Sequence, residues 1–228
     1  AVGLLSKETA LVAPGLLAVQ DAIMGWGEPR QRPSLRSAWT RAWTVYAPLG
    51  LVAACYLWLR NGVVGSGVFS YFDGLTGPQA AMMVPRVFFL YVRLSLIPHP
   101  LCPFYDWTIL GAPTSWLESD VIAGTVLLAG SIAAVPLFWR RVPLLAFGIA
   151  FFLVALLPVS HLVPFFDAAG DRFLYVPVAG VFLGLAGAAR AVEATSRLRV
   201  AGVIGAAALA LVFGGLTAVR AAEWRSSE

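Results

Sequence analysis

LPVSHLVPFFDAAGDRFLYVP, Leu157 to Pro177, joins two long apolar runs through a short connection that carries almost all of the local polarity. Pro158, Pro164 and Pro177 punctuate it, and Ser160, His161, Asp167, Asp171, Arg172 and Tyr175 crowd into the gap. Proline removes a backbone donor and ends or kinks helices, so polar groups set between two runs of membrane length are held at or just outside one face of a bilayer. A polar substrate would be handled at such a place.

The composition around this stretch agrees. Of 228 residues, 59% are hydrophobic and 12% charged, against roughly 25% charged in an average soluble domain. With a mean hydropathy of +0.80, the expected fold class is all-α, a polytopic transmembrane helix bundle. The net charge of +4 does not point to nucleic acid, because the sixteen Lys and Arg residues gather at the ends of apolar segments. They read as topology determinants and not as a phosphate-binding stripe. Cys55 sits in an apolar run and Cys102 in a loop, so no disulfide framework follows.

Taken in order, the expected spans are about 1–24, 43–59, 121–139, 142–157, 173–189 and 200–219. The loop after the first carries Arg30, Arg32, Arg36 and Arg41 and is expected to be cytoplasmic, whereas 61–81 has no Lys or Arg and is expected outside. The segment 82–97 is apolar but holds Pro85, Arg86 and Arg93, and the loop 99–120 after it again lacks basic residues. If it crossed, Arg140 and Arg141 would emerge on the outer side, against the positive-inside rule. As an interfacial or re-entrant helix it leaves six crossings and puts every later loop on the side its charge prefers. Gly180 and Gly184 form a GxxxG that Ala188 continues, which reads as ordinary close helix packing.

This topology gathers the polar residues on the outer side. Arg86 and Arg93 are seven apart, which puts them on one helical face about 10 Å apart. Two guanidinium forks there either grip a lipid phosphate or pyrophosphate, or snorkel to headgroups as anchors. Glu8, Asp106 and Asp171 are each able to act as a base, to hold a divalent cation, or to pair with Lys7 and Arg172. Asp171 beside Arg172 reads as a structural ion-pair network, because charges this near lipid rarely go unpaired. His99 and His161 lack a second His or Cys at ligand spacing, which favours structural hydrogen bonding and no metal site. No Walker loop, dinucleotide fingerprint, GxSxG elbow or CxxC is present.

Certain motifs in the chain resemble a known family. SKET at Ser6 to Thr9, before an apolar helix with Pro14 and Asp21, resembles the "SKE" helix of C-superfamily membrane glycosyltransferases that carry tetratricopeptide repeats. YVRLSLIPHPLCPFYDW, Tyr91 to Trp107, is similar to that family's Y-x-R-L-x-x-x-P-H-P-L-x-x-x-Y motif. LPVSHLVP followed by AGDRFLYVP is similar to its P-V-S-N-x-x-P and A-E-R-x-L-Y-x-P pair. The resemblance is to the transmembrane and tetratricopeptide-repeat O-mannosyltransferases and their bacterial homologues. His161 stands where the family usually has Asn, Asp171 where it has Glu, and Cys102 where it has Ser.

The resemblance implies an enzyme that moves a sugar from a polyprenyl-phosphate donor to a protein or glycan acceptor on the periplasmic or lumenal face. It implies that 1–220 is the C-terminal part of the transmembrane domain and that 221–228 begins an external linker towards repeats. The catalytic acid would then lie upstream, the chain being a fragment at both ends. Combined with residue chemistry, it assigns Lys7, Arg86, Arg93 and Arg172 to the donor phosphate, with Glu8 and Asp171 orienting those cations. His99, Asp106, His161 and Tyr175 support the pocket wall. The residues establish no cofactor, and a divalent cation is compatible with the carboxylates. The expected location is a bacterial inner membrane with the active side periplasmic. Two rivals stand beside it: a non-enzymatic membrane anchor presenting a repeat domain, and a flippase or transporter of lipid-linked sugars, which would use the same cations without chemistry.

Overall fold

A computed structural model describes residues 11–25, 35–64, 75–105, 107–162, 167–192 and 196–223. Its regular elements are helices; the one extended feature among the described residues is an isolated bridge between Tyr105 and Ala169. Helix α1 is Ala13–Met24, and α2, Leu35–Arg41, passes through a π-helical turn, Ala42–Tyr46, into α3, Ala47–Val64. Then follow α4, Gly77–Leu96, the short α5, Trp107–Leu110, α6, Ser119–Phe138, and α7, Pro143–Leu156. Two 3-10 turns, Leu157–Val159 and Asp171–Leu174, flank the junction before α8, Pro177–Val192, and α9, Ser196–Glu223. The all-α expectation is what the structure shows.

Local chemistry explains the boundaries. Prolines sit in the first turn of α1, α4, α7 and α8, where a missing N–H costs nothing and the fixed φ suits a helix. Thr76 and Gln79 form a capping box at the start of α4. The span expected from residue 173 therefore starts later: Phe173 and Leu174 lie in a buried 3-10 turn, and the helix begins at Pro177.

Among the described residues, two helices are long and apolar enough to cross a membrane by length and composition, Trp39–Leu59 and Ser119–Phe138. Pro143–Val159, Pro177–Val192 and Ala210–Val219 are apolar but shorter. From α6 onward the helices alternate in direction. Leu128 of α6 lines one cavity with Leu153 and Leu156 of α7, and Ser131 lines another with Ile149. Gly148 lies against Gly184, Gly180 against Phe152, and Gly187 against Leu144 and Leu145, which sets α7 and α8 antiparallel. Phe182 meets Phe213 edge-on, and Val178 shares a wall with Leu216, so α9 returns alongside α8. The start of α6, the end of α7, the Leu157–Pro177 junction and the end of α9 thus share one end of the bundle. Arg140, Arg141 and Arg190 lie at the other, with Arg140 stacked on Trp139 at 5.2 Å.

Helix α4 is the centre of the core. It begins five residues before the expected 82 and is continuous through Pro85. Met83, Val87, Phe88, Leu90, Tyr91 and Leu94 are buried along it, and Phe88 meets Phe152 edge-on at 6.0 Å. At Gly124 of α6 an added Cβ would sit 1.9 Å from the Pro85 carbonyl oxygen, so the two backbones touch where the helices cross. In lipid no hydrophobic force drives helices together, and close packing of this kind supplies the attraction instead. Both sides of α4 are tied to the junction end: Arg86 to Asp120 at the start of α6, and the Cys102 carbonyl, just past its C-terminus, to the Asp171 amide.

Candidate functional site

At that end the loop after α4 and the junction between α7 and α8 are sewn together. The Tyr105 amide donates to the Ala169 carbonyl at 3.0 Å, and the Asp171 amide to the Cys102 carbonyl at 3.4 Å. The Gly170 amide donates to the Tyr91 hydroxyl at 3.4 Å. Glycine is required at 170, because a Cβ would stand 2.7 Å from the Pro103 carbonyl oxygen.

The Tyr105 hydroxyl lies 3.0 Å from the Pro100 carbonyl and 3.1 Å from Asp171 Oδ1, sharing one proton between them. Burial first, and then the Asp171 charge, push its pKa above the usual range for a tyrosine, so it acts as a neutral donor. The Arg172 guanidinium pairs with Asp167. It also lies over the rings of Phe104 at 4.4 Å and Phe173 at 4.9 Å, a cation held by a carboxylate and two aromatic faces. Asp167 was not among the expected site residues. The expectation made Asp171 the carboxylate that orients the cations, but for Arg172 that part falls to Asp167, while Asp171 takes the Tyr105 hydroxyl. Spacing alone does not separate two carboxylates on either side of an Ala-Ala-Gly turn.

His161 is 6% exposed and has a φ of 62°. Its Nε2 lies 2.5 Å from the Ala168 carbonyl oxygen, so that nitrogen carries the proton and donates. Burial lowers its pKa, against a smaller upward pull from the same hydrogen bond. Histidine is among the few side chains that tolerate a left-handed backbone, which suits His161 to this turn.

A second cluster gathers around Arg86, whose side chain is 15% exposed. Its Nε lies 2.5 Å from Asp120 and its Nη2 3.0 Å from Glu118. Glu118 in turn accepts from the Thr114 amide at 2.6 Å, the Thr114 hydroxyl at 2.9 Å and the Ser115 amide at 3.1 Å. These bonds, led by the Thr114 amide, hold its carboxyl below the usual range. Both acids stand at the start of α6, where the helix dipole also favours negative charge. Neither was expected as a partner, since an acid preceding an apolar helix looks like a solvated cap.

The third cluster went unforeseen because it depends on helix type. Asp21 of α1 takes two hydrogen bonds from Arg41, at 2.5 and 2.8 Å, and one from Tyr46 at 2.5 Å. In an α-helix residues five apart point about 140° away from each other. The wider winding of the π turn brings both onto one face.

Among the other expected residues, Arg93 is exposed on α4, His99 is exposed in the following loop, and Tyr175 is 80% exposed. Lys7, Glu8 and Asp106 lie outside the described residues. Among those described, no group of three or more His, Cys, Asp or Glu side chains converges as a metal site. The structure thus brings His161, Asp171, Arg172 and Arg86 to one end of the bundle, but in separate clusters. A cleft of about 580 Å³ runs beside His161, Pro85, Trp116 and Thr125. Another of about 510 Å³ runs beside Asp171 and Tyr175. Comparison with protein-family models, with curated proteins and with solved structures finds no match to this chain.

Proposed function

We propose that this chain belongs to an integral membrane glycosyltransferase, one that moves a sugar from a polyprenyl-phosphate donor to a protein or glycan acceptor. On this reading it makes six crossings, with α4 as a re-entrant helix, and sits in a bacterial inner membrane with the junction end periplasmic. The observation that carries the reading is the joining of the two motif-bearing segments: Tyr91 meets Gly170, Cys102 meets Asp171 and Tyr105 meets Ala169. The sequence resemblance treats these segments as parts of one site, and their contact supports that. Arg86 lies towards the junction end of the bundle and Arg140, Arg141 and Arg190 at the other, which supports this topology.

Of the proposed phosphate-binding cations, Arg93 is the exposed one and Arg172 sits in the aromatic clamp. Fixed cations that stabilise the charge on a departing lipid phosphate supply several kcal/mol in a water-poor site. Arg86 and Arg172 each have carboxylate partners already, and this favours a second reading, a non-catalytic membrane anchor. The test is turnover by the protein containing this chain, given labelled polyprenyl-phosphate sugar and a peptide or glycan acceptor. Arg93→Ala and Arg172→Ala are each expected to abolish transfer with unchanged yield. Normal turnover in both removes the site assignment, and leaflet exchange of the lipid without product favours a flippase.

A further inference from the structure

We propose that the end of the bundle away from the junction holds an anionic phospholipid whose head carries two phosphates, of the diphosphatidylglycerol type, between Arg140, Arg141 and Arg190. Arg140 and Arg141 lie on the turn from α6 to α7, which is closed on itself: the Arg141 and Val142 amides both donate to the Phe138 carbonyl, at 3.0 and 2.8 Å. Arg190 is in the last turn of α8. The two stretches are brought together at Gly187, where an added Cβ would stand 2.5 Å from the Leu145 amide nitrogen and 2.8 Å from the Leu144 carbonyl carbon. Arg190 follows Gly187 by three residues, about 4.5 Å along the axis, and residues three apart share a helix face. It therefore stands on the side of α8 turned towards α7, level with the turn that bears Arg140 and Arg141.

All three arginines are exposed. Arg140 lies over the Trp139 ring at 5.2 Å, and a tryptophan at a membrane surface keeps its ring at headgroup level. Among the described residues none of the three has an acidic partner, whereas Arg41, Arg86 and Arg172 each have one. Setting topology uses these charges during insertion; in the folded bundle they still face the headgroups. The helix ends beside them offset only part of the charge. The C-termini of α6 and α8 each carry about −0.5 and the N-terminus of α7 about +0.5, so roughly +2.5 of the three positive charges remains. One phosphodiester leaves most of that unmatched, and a neutral head gains nothing from it. Two joined phosphates come close to matching it, and each accepts from a guanidinium fork in the two-bond geometry. This site lies at the opposite end from the sugar transfer proposed above and does not depend on it.

For the test, the protein containing this chain is purified in a non-ionic detergent and given equimolar phosphatidylcholine, phosphatidylglycerol and diphosphatidylglycerol with the same acyl chains. Native mass spectrometry reads the lipid it retains. Diphosphatidylglycerol is expected to be retained about fivefold over phosphatidylglycerol, the worth of one further basic side chain at an anionic head. Arg190→Gln and Arg141→Gln, on the two sides of the site, are each expected to remove that preference. Arg36→Gln takes the same single charge from an exposed arginine on α2 and is expected to leave the preference unchanged. Equal retention of the two anionic lipids by the unsubstituted protein overturns the proposal. So does an equal loss in Arg36→Gln and Arg190→Gln, which is the behaviour of diffuse charge and not of a site.

Discussion

Gly180 and Gly184 look alike in the sequence, yet alanine at these two positions is expected to have opposite effects. At Gly180 an added Cβ would lie 2.6 Å from the Gly148 carbonyl oxygen, 2.7 Å from the Phe152 amide nitrogen and 3.1 Å from the Phe151 ring. Carbon and carbonyl oxygen approach comfortably to about 3.3 Å at the closest, so α7 and α8 must part by roughly 0.7 Å. A gap of that size forfeits a quarter to a half of each dispersion contact nearby, and overpacking of a tight interface costs about 1–3 kcal/mol. Alanine returns up to about 1 kcal/mol of helix propensity, which leaves Gly180→Ala less stable by about 1–2 kcal/mol. At Gly184 the Cβ meets Leu145 Cδ1 at 3.6 Å and the Gly148 Cα at 3.9 Å. Those are ordinary contacts, so Gly184→Ala is expected to be neutral or stabilised by up to about 1 kcal/mol. Reversible unfolding in mixed micelles, or steric trapping in bicelles, measures the difference. Equal costs at the two glycines, or an unaffected Gly180→Ala, would refute the backbone contact on which this reasoning rests.

Arg86→Ala leaves Asp120 and Glu118 facing each other without their cation and is expected to destabilise the fold by about 1–3 kcal/mol. In the Asp120→Asn, Glu118→Gln background the same change should cost clearly less, and a double-mutant cycle in the same unfolding assay checks it. His161 carries a pH dependence. Its folded pKa lies below the ordinary 6.5, so the unfolded chain takes up the proton first as pH falls. Stability from this group is therefore complete above about pH 6.5 and declines as pH drops towards the folded value. Melting temperatures of the unsubstituted chain and of His161→Asn, recorded across that range, should separate only on the acid side. The φ of 62° further predicts that His161→Val is less stable than His161→Asn by about 1–2 kcal/mol, because a β-branched residue resists a left-handed backbone.

Much of the architecture was readable from residue order alone. Apolar runs separated by proline and arginine dictate helices, because backbone groups away from water must be satisfied within the segment. Arg140, Arg141 and Arg190 lie at the end of the bundle away from the junction. The small-residue stripe on α8 does pack closely, and the stretch around His161 and Arg172 does gather the polar groups. Helix α4 was legible as an apolar segment holding Pro85, Arg86 and Arg93, but its burial at the centre depends on Gly124 offering no side chain where Pro85 crosses.

Tertiary structure decided every choice among equivalents. It gave Arg172 to Asp167 and tied Arg86 to two acids more than thirty residues away. It put Arg41 and Tyr46 on one carboxylate through a π turn, and it made Gly180 intolerant of a methyl group that Gly184 accepts. The reason is common to all of these. Periodicity along a chain states which face a residue occupies, whereas a pairing depends on the axial register and rotation of a second helix. A shift of one residue there changes every neighbour without changing the pattern.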